Sequence, residues 1–249
     1  MTDAPCPERS RPWVLAATIL GSSIAFIDSS VVGVALPAMQ ADLAATVREA
    51  QWIVNSYMLL LGALILIGGG AGDRFGRRRI FLIGLIAFTA ASVACGLAPS
   101  SESLIVARAL QGVGAALLVP SSLAIITAAF PEKERGRAIG TWAGASALTT
   151  ALGPVIGGWL TDAWSWRAIF FINVPVAAIT IAITLWHMPE SRNQDQEGID
   201  WLGGLFAVVG LGCMTYGLTV ASEAGWIHAM VMVPLLVGAV VLGVFVWFE

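Results

Sequence analysis

The chain is a series of long apolar blocks separated by short polar connections. Stretches without Asp, Glu, Lys or Arg cover residues 50–72, 80–101, 109–131, 138–161, 168–189, 201–222 and 224–248, and a block over 12–41 is interrupted only by Asp28. An α-helix needs about 20 predominantly apolar residues to cross the hydrocarbon core of a bilayer. The pattern therefore predicts eight transmembrane helices, at roughly 13–36, 52–71, 80–98, 103–128, 138–160, 168–188, 201–221 and 229–248, with Arg108 inside the fourth.

The composition indicates the same class of protein. Of the 249 residues, 57% are hydrophobic and 12% are charged, whereas an ordinary soluble domain carries about 25% charged residues. A soluble domain, a disordered chain and a secreted disulfide scaffold are excluded, and the net charge of −3 gives no basic patch for nucleic acid. The sequence has no HExxH, P-loop or nucleophile-elbow motif, and its three cysteines have no metal-ligand spacing. We expect an all-α membrane protein that is not an enzyme and holds no metal or cofactor.

The positive charges of the connections predict the orientation. Ten of the 13 Lys and Arg residues fall in one set of connections, and only Arg48 and Arg167 fall in the opposite set. Because cytoplasmic loops carry the excess of Lys and Arg, both termini should be cytoplasmic. The polar segment 189–200 separates six spans over 1–188 from two further spans over 201–249, and we interpret it as a cytoplasmic linker.

Two ionisable residues lie inside predicted spans, Asp28 in the first and Arg108 in the fourth. At the helical rise, Asp28 lies about 22 Å beyond Trp13 and Arg108 about 8 Å beyond Ser103, and the two depths together match a hydrocarbon core of about 30 Å. Charges within a membrane are costly and are functional candidates by default, so we expect this pair to meet at one depth and to carry proton coupling. Two alternatives stay open: Arg108 could extend to the outer interface, and Asp28 could be a permanently protonated structural acid.

Three polar residues are candidates for a substrate cavity near these charges. Gln111 shares the helix face of Arg108 in the fourth span. Asn55 and Tyr57 lie in the second span, and the sequence leaves open whether each contacts substrate or only a neighbouring helix.

The connection between the second and third spans, GGGAGDRFGRRR over 68–79, combines glycines with charges at fixed spacing. Glycines let the end of one helix approach its neighbour closely. Asp73 suits the N-terminus of a facing helix, where unpaired N–H groups and the helix dipole favour an anion. Positive charge on the cytoplasmic side accounts for the arginines but not for the acid and the glycine. We predict a cytoplasmic gating loop formed by Gly69, Asp73, Arg74, Gly76, Arg77 and Arg78.

The fifth predicted span combines a proline with many glycines. Pro154 removes a helical hydrogen bond and should kink the helix, and the glycines provide a narrow face for close contact with another helix. A packing role without any gating role is the alternative. The candidate kink motif consists of Gly153, Pro154, Gly157 and Gly158.

These motifs together resemble the major facilitator superfamily. Residues 69–78 resemble its signature loop G-x-L-A-D-R-x-G-R-[RK], which in that family latches the two halves of the transporter on the cytoplasmic side. DSSVVGVALP (28–37), LIVARALQGVGAA (104–116) and LGPVIGG (152–158) resemble signatures of drug:proton antiporters and occur in the expected order. WRAIFFINVP (166–175) looks like the fourteen-span EmrB/QacA-type branch in particular. The resemblance implies a six-helix N-terminal bundle followed by two further transmembrane helices.

The resemblance also implies a function and its partners. It implies proton-coupled efflux of lipophilic, often cationic drugs across the bacterial cytoplasmic membrane, with the drug competing for the proton at Asp28. Export of an endogenous metabolite or siderophore, and a truncated protein that does not transport, are the alternatives. The family pattern calls for a second six-span bundle, so we expect residues 1–249 alone to insert into the lipid bilayer without transporting. A periplasmic adaptor and an outer-membrane channel are left open as further partners.

Overall fold

The structure, a computed structural model, describes residues 6–192 and 201–248. Within these two ranges the secondary structure is helical and includes no strand, so the prediction of an all-α protein is confirmed. The helices found there are α1 (Arg11–Leu43), α2 (Val47–Phe75), α3 (Arg77–Gly96), α4 (Ser101–Ala129), α5 (Glu132–Ala163), α6 (Ala168–Phe171), α7 (Asn173–His187), α8 (Trp201–Ala224) and α9 (Ala229–Phe248).

Local signals at the helix ends account for several of these boundaries. Thr46 starts α2 with a capping box, in which its hydroxyl accepts from the backbone N–H of Glu49 and the Glu49 carboxylate accepts from the backbone N–H of Thr46. Ser100 and Ser103 form the same reciprocal pair at the start of α4. α2 ends just before Gly76, whose φ of 107° lies in the region that favours glycine. The caps satisfy N–H groups that the first turn of a helix otherwise leaves unpaired.

Helices α1 to α7 form one bundle, in which α4 packs against α1, α2 and α3. Glycines bring the backbones of α2 and α4 together. A Cβ atom at Gly68 would collide with the backbone carbonyl of Ala116, and one at Gly112 would lie 2.5 Å from the carbonyl oxygen of Tyr57. Such direct backbone contact is typical of membrane helix pairs with small residues at the interface. It places α2 close enough for its backbone to take part in a site centred on α1 and α4.

Among the residues described, seven segments are long and apolar enough to cross a membrane. They coincide with seven of the eight predicted spans, and α6 and α7 together form the sixth. Helix α5, at the fifth predicted span, has 32 residues but is not among the seven, because its six glycines and four threonines lower its hydropathy. The separation of α6 from α7 falls at Ile172, since Pro175 has no N–H to donate to the carbonyl of Phe171.

Helices α8 and α9 pack against each other, and α8 also packs along α2. At one end of this contact Asn55 donates from Nδ2 to Thr219 Oγ1 at 3.2 Å. At the other end the Ile67 side chain packs on Gly204, so α2 and α8 are antiparallel. Residues 193–200 of the predicted linker lie outside the described residues, and the division of the chain at 189–200 stays a prediction.

Candidate functional site

Asp28 and Arg108 meet in the interior of the bundle. Arg108 Nη1 donates to Asp28 Oδ2 in a hydrogen-bonded ion pair that joins α4 to α1. Gln111, one turn further along α4, donates from Nε2 to Asp28 Oδ1 at 2.8 Å and accepts from Arg108 Nη1 at 2.7 Å. Arg108 Nε donates to the backbone carbonyl of Ile53 on α2 at 3.1 Å. One carboxylate and one guanidinium thus connect three helices.

The site is closed on all sides. Asp28 and Arg108 are each 1% exposed, and Gln111 and Tyr57 are 0% exposed. The Arg108 guanidinium carbon lies 4.2 Å from the centre of the Tyr57 ring, and the Tyr57 hydroxyl donates to the carbonyl of Ala25 at 3.1 Å. Burying two charges is unfavourable unless their remaining hydrogen-bonding groups are also satisfied. Here the amide of Gln111, the carbonyl of α2 and the aromatic ring supply those partners.

The structure shows the contacts of the side chains whose surroundings the sequence left open. The Arg108 side chain lies inside the bundle and does not extend to the outer interface. Gln111 and Tyr57 contact the charge pair directly. Asn55 contacts a neighbouring helix, α8, through Thr219. The roles of these side chains in proton coupling and substrate binding stay predictions.

Arg108 has acceptors besides the carboxylate of Asp28. Its Nε donates to the carbonyl of Ile53, and its Nη1 also lies 2.7 Å from Oε1 of Gln111. The carboxylate of Asp28 likewise has a second donor, the Gln111 amide. Each member of the charge pair therefore keeps a hydrogen-bond partner other than the opposite charge.

The predicted gating loop lies at the junction of α2 and α3. Asp73 and Arg77, one helical turn apart, form a partly buried ion pair in which Arg77 Nη2 and Nε lie 2.6 and 2.7 Å from Asp73 Oδ1. Arg78 donates from Nη2 to the carbonyl of Leu185, at the end of the sixth predicted span, at 3.1 Å. Arg74 is exposed at the end of α2. In this structure the acid of the loop is therefore paired within its own segment.

Glu190 completes this loop, a role that the sequence analysis did not assign to it. Its carboxylate accepts from the backbone N–H groups of Arg78 at 3.1 Å and Arg79 at 3.2 Å, at the start of α3. This is the position at which the helix dipole favours an anion. A Cβ atom at Gly76 would lie 2.8 Å from the same carboxylate, which together with the positive φ explains the glycine. The sequence gives one signal for this contact: an acid lies directly after the sixth span, and its charge is opposite to that of the basic loop.

The glycines of the candidate kink motif pack α5 on α1. A Cβ atom at Gly153 would collide with the side chain of Ser30, and one at Gly157 would lie 2.9 Å from Cγ2 of Val31. The helix continues through Pro154 from Glu132 to Ala163. At the two remaining glycines of the predicted motifs a Cβ atom would make only ordinary van der Waals contact with a neighbouring helix: Gly69 with Pro120, and Gly158 with Val34.

A second aspartate–arginine pair lies at the C-terminal end of α1. Arg167 Nη1 lies 2.5 Å from Asp42 Oδ2, and Trp166 donates from Nε1 to the same oxygen at 3.0 Å. Arg167 also donates to the carbonyl of Ala98, just beyond α3, at 3.3 Å. This outer cluster (Asp42, Trp166 and Arg167) joins the ends of α1, α3 and α5. Because 125 residues separate its two charges, their spacing in the sequence gives no sign of the contact.

Known proteins are similar to this chain in sequence and in fold. The family model of the Major Facilitator Superfamily matches residues 18–248. Multidrug resistance protein Stp of Mycobacterium tuberculosis is 41% identical over 97% of this chain and 45% of its own length. The tetracenomycin C resistance and export protein of Streptomyces glaucescens is 39% identical over 88% of this chain and 41% of its own length. The chain therefore spans about half the length of the curated relatives it matches. The solved POT family transporter PepTSo has the same fold, with a TM-score of 0.67 and 14% identity over 97% of this chain and 52% of that one.

Proposed function

Because the chain belongs to the major facilitator superfamily, whose members are transporters and not enzymes, we propose that it is the N-terminal half of a drug:proton antiporter. The transporter would export lipophilic, often cationic drugs in exchange for protons. The names of the two relatives, a multidrug resistance protein and a resistance and export protein, support drug efflux. The buried network of Asp28, Arg108 and Gln111 carries the proposal of proton coupling, since an ionisable group inside a membrane bundle is the kind of group that relays protons.

In this proposal Asp28 takes up a proton from outside and releases it inside. A cationic drug bound near this site would favour the ionised carboxylate and so compete with the proton. Arg108 takes part in the exchange, because it returns to Asp28 when the proton leaves. Since the site is closed in the present arrangement, each transfer requires α1, α2 and α4 to separate slightly or Arg108 to turn. Rocking of two bundles about this site would provide alternating access.

A second bundle would complete the substrate path. Among the described residues nothing lies within 4 Å of a Cβ atom built at Gly136, Gly140 or Gly144 on α5. The exposed Leu148 and Leu152 continue this row at the same four-residue spacing. An apolar row with small residues is suited to packing against another membrane helix. Because the relatives are about twice as long as the matched part, the proposal assigns this face of α5 to the second bundle.

The proposal also includes the orientation and the gate. Both termini face the cytoplasm of a bacterial cell, because ten of the 13 cations lie in the connections on that side. The loop between α2 and α3 is then the cytoplasmic gate. The Asp73–Arg77 pair would be one of two positions of Asp73, and in the other Asp73 would face the N-terminus of a helix of the second bundle.

Proton release upon addition of drug tests the coupling. The experiment uses the full-length transporter containing this chain, purified in weakly buffered detergent solution with a pH-sensitive dye, and adds a lipophilic cation such as ethidium. Wild type should release protons. Asp28→Asn should release none, because an amide does not titrate in this range, while binding of a neutral drug should persist. Asp42→Asn changes a carboxylate of the same helix outside the bundle interior, and it should release protons as wild type does.

The pH profile of the same signal tests Arg108. In Arg108→Ala the carboxylate has lost its cation, so proton release should stall near neutral pH and recover in part under alkaline conditions. Arg108→Lys keeps the charge and should lie between Arg108→Ala and wild type. Normal release by Asp28→Asn would remove Asp28 from the mechanism, and an unchanged profile in Arg108→Ala would assign Arg108 to a structural role.

Export of an endogenous metabolite by the same proton cycle is a second candidate. It is favoured by the relative whose name specifies resistance to and export of one compound, tetracenomycin C. A panel of cationic dyes and of polyketide-like metabolites in the proton-release experiment separates the two. Proton release upon addition of the dyes supports drug efflux. Proton release upon addition of the metabolites alone supports the second candidate.

A further inference from the structure

A cavity of about 360 Å³ lies between α2, α4 and α8, away from the charge pair. Its wall contains apolar side chains and one glycine, with three residues from each helix, among them Leu64, Ile67 and Ala71 on α2 and Gly204, Leu205 and Val208 on α8. A wall of this composition offers no hydrogen bond to water, and water needs two or more polar partners to occupy a cavity. Leu205 is 56% exposed, so the cavity borders the surface that the membrane surrounds.

The cavity lies at the depth of the acyl chains of one leaflet. Its α2 residues lie between four and eleven positions before Phe75, the last residue of that helix, which corresponds to about 6–17 Å along the helix axis. Half of a hydrocarbon core is about 15 Å thick. The residues from α8 come from the first turns of that antiparallel helix, so they lie at the same level. The cavity therefore occupies the half of the membrane that meets the C-terminal end of α2.

An exposed arginine continues the cavity wall toward the membrane surface. Ile67, Ala71 and Arg74 are spaced by four and three residues, so they follow one face of α2. Ile67 and Ala71 line the cavity, and Arg74 is exposed at the end of the helix. A guanidinium at this level can pair with a phosphate oxygen. This face of α2 thus presents an apolar surface and then a cation. A phospholipid presents its acyl chain and its phosphate in the same order.

We propose that this cavity binds one acyl chain of an anionic phospholipid, with the lipid phosphate at Arg74. The acyl chain would fill the space between the bundle and α8. Direct contact between α2 and α8 is supplied at the opposite end by the hydrogen bond between Asn55 and Thr219, and at the cavity itself by Ile67 packed on Gly204. The lipid would therefore add to the contact between α8 and the bundle by filling the space that remains beside Ile67.

Photocrosslinking in nanodiscs tests the site. The 249-residue chain is reconstituted with a trace of phosphatidylglycerol that carries a diazirine in the middle of one acyl chain, and labelled peptides are identified by mass spectrometry. Labelling should concentrate on the cavity residues of α2, α4 and α8. Val208→Trp, which fills the cavity from α8, should remove this labelling. Val209→Trp places the same side chain at the neighbouring position, where Val209 is 41% exposed, and labelling should persist.

The headgroup part of the site is tested by a second pair of variants. Arg74→Gln should weaken labelling by the anionic lipid about fivefold, the effect of one basic residue near a membrane surface, and labelling by the equivalent phosphatidylcholine probe should change less. Arg79→Gln removes an exposed cation of the same loop and should match wild type. Unchanged labelling in Val208→Trp would overturn the proposal, as would labelling spread evenly over all lipid-facing positions. Displacement of the probe by a lipophilic drug cation with no dependence on Arg74 would overturn it as well, because the occupant would then be a drug.

Discussion

Helix α1 carries two aspartates that each pair with an arginine, and the two pairs differ in almost everything else. Asp28 pairs with Arg108 in the interior, where the exposed fractions of the two side chains are 0% and 1%. Asp42 pairs with Arg167 at the end of the helix, where they are 48% and 33%. The inner pair is surrounded by Gln111, the Tyr57 ring and a backbone carbonyl, whereas the outer pair shares its charges with solvent.

Burial makes the inner pair, and not the outer pair, suited to act as a switch. Removal of water strengthens the attraction between two charges, and it makes either charge very unfavourable once it is left without the other. In the proposed proton cycle, the protonation of Asp28 and the position of Arg108 would therefore change together. The outer pair has no such constraint, because water can replace either partner. The same two residue types thus give a coupled site in one place and a simple tie between helix ends in the other.

Removing one partner of the inner pair should have the largest effect on stability. In the 249-residue chain, Arg108→Met should lower the free energy of unfolding by about 3–5 kcal/mol, because Asp28 stays buried without its cation. The double variant Asp28→Asn/Arg108→Met should regain much of this loss, since neither charge remains. Denaturant titration of the helical circular dichroism signal in micelles measures all the variants. If the loss in the double variant equalled the sum of the losses in Arg108→Met and Asp28→Asn, the two charges would have no coupling beyond packing.

The inner pair could be predicted from the sequence because a charge inside an apolar block is visible in one dimension. The helical rise gave both residues one depth, and helix periodicity placed Gln111 beside Arg108. The partner of Asn55 could not be predicted, because it depends on the side of the bundle on which α8 packs. The role of Glu190 depends in the same way on a contact between two helix ends that are distant in the chain.

The fold shows the same division between local and long-range information. Block lengths predicted the positions of the helices, and the motifs predicted the family to which the chain belongs. Helix α5 falls short in hydropathy. Two of its glycines, Gly153 and Gly157, contact α1, whereas among the described residues nothing lies within 4 Å of a Cβ atom built at Gly136, Gly140 or Gly144. Composition shows that such a helix has small residues. It does not show which of them already have a neighbour, because that requires the packed structure.

The inner pair is buried where α2 approaches α4 closely, and a single methyl group tests the contribution of this close approach to stability. In Gly112→Ala the new Cβ atom would lie 2.5 Å from the Tyr57 carbonyl oxygen, and overpacking of this kind lowers stability by about 1–3 kcal/mol. The matched control is Gly144→Ala on α5, where a Cβ atom meets nothing within 4 Å among the described residues. There the substitution should stabilise by about 0.4–1 kcal/mol. The same denaturant titration applies, and equal effects at the two sites would contradict the role of close approach.

A third pair, Asp73 and Arg77, is intermediate in burial, with side-chain exposures of 24% and 19%. Asp73→Asn should lower the stability of the chain by only about 0.2–1 kcal/mol, as for other partly exposed pairs. In the full-length transporter it should also shift the population away from the outward-facing state, because the amide no longer favours the N-terminus of a facing helix. Cysteine accessibility on the two sides of the membrane measures this shift. Unaltered populations, with expression like that of wild type, would reject the gating role of Asp73.

The outer pair should give the smallest effect, and this prediction is the strictest test of the comparison. In Asp42→Asn, Trp166 can still donate to the amide oxygen, and Arg167 keeps the carbonyl of Ala98 and its position 4.2 Å from the Trp166 ring centre. Water reaches both charged groups, so the unfolding midpoint should stay close to that of wild type. Salt screens exposed charges, and the small remaining difference should disappear when the titration is repeated at high ionic strength. A loss as large as that of Arg108→Met, or one that persists in salt, would mean that burial does not distinguish the two pairs, and the argument for Asp28 as the coupled site would lose its physical basis.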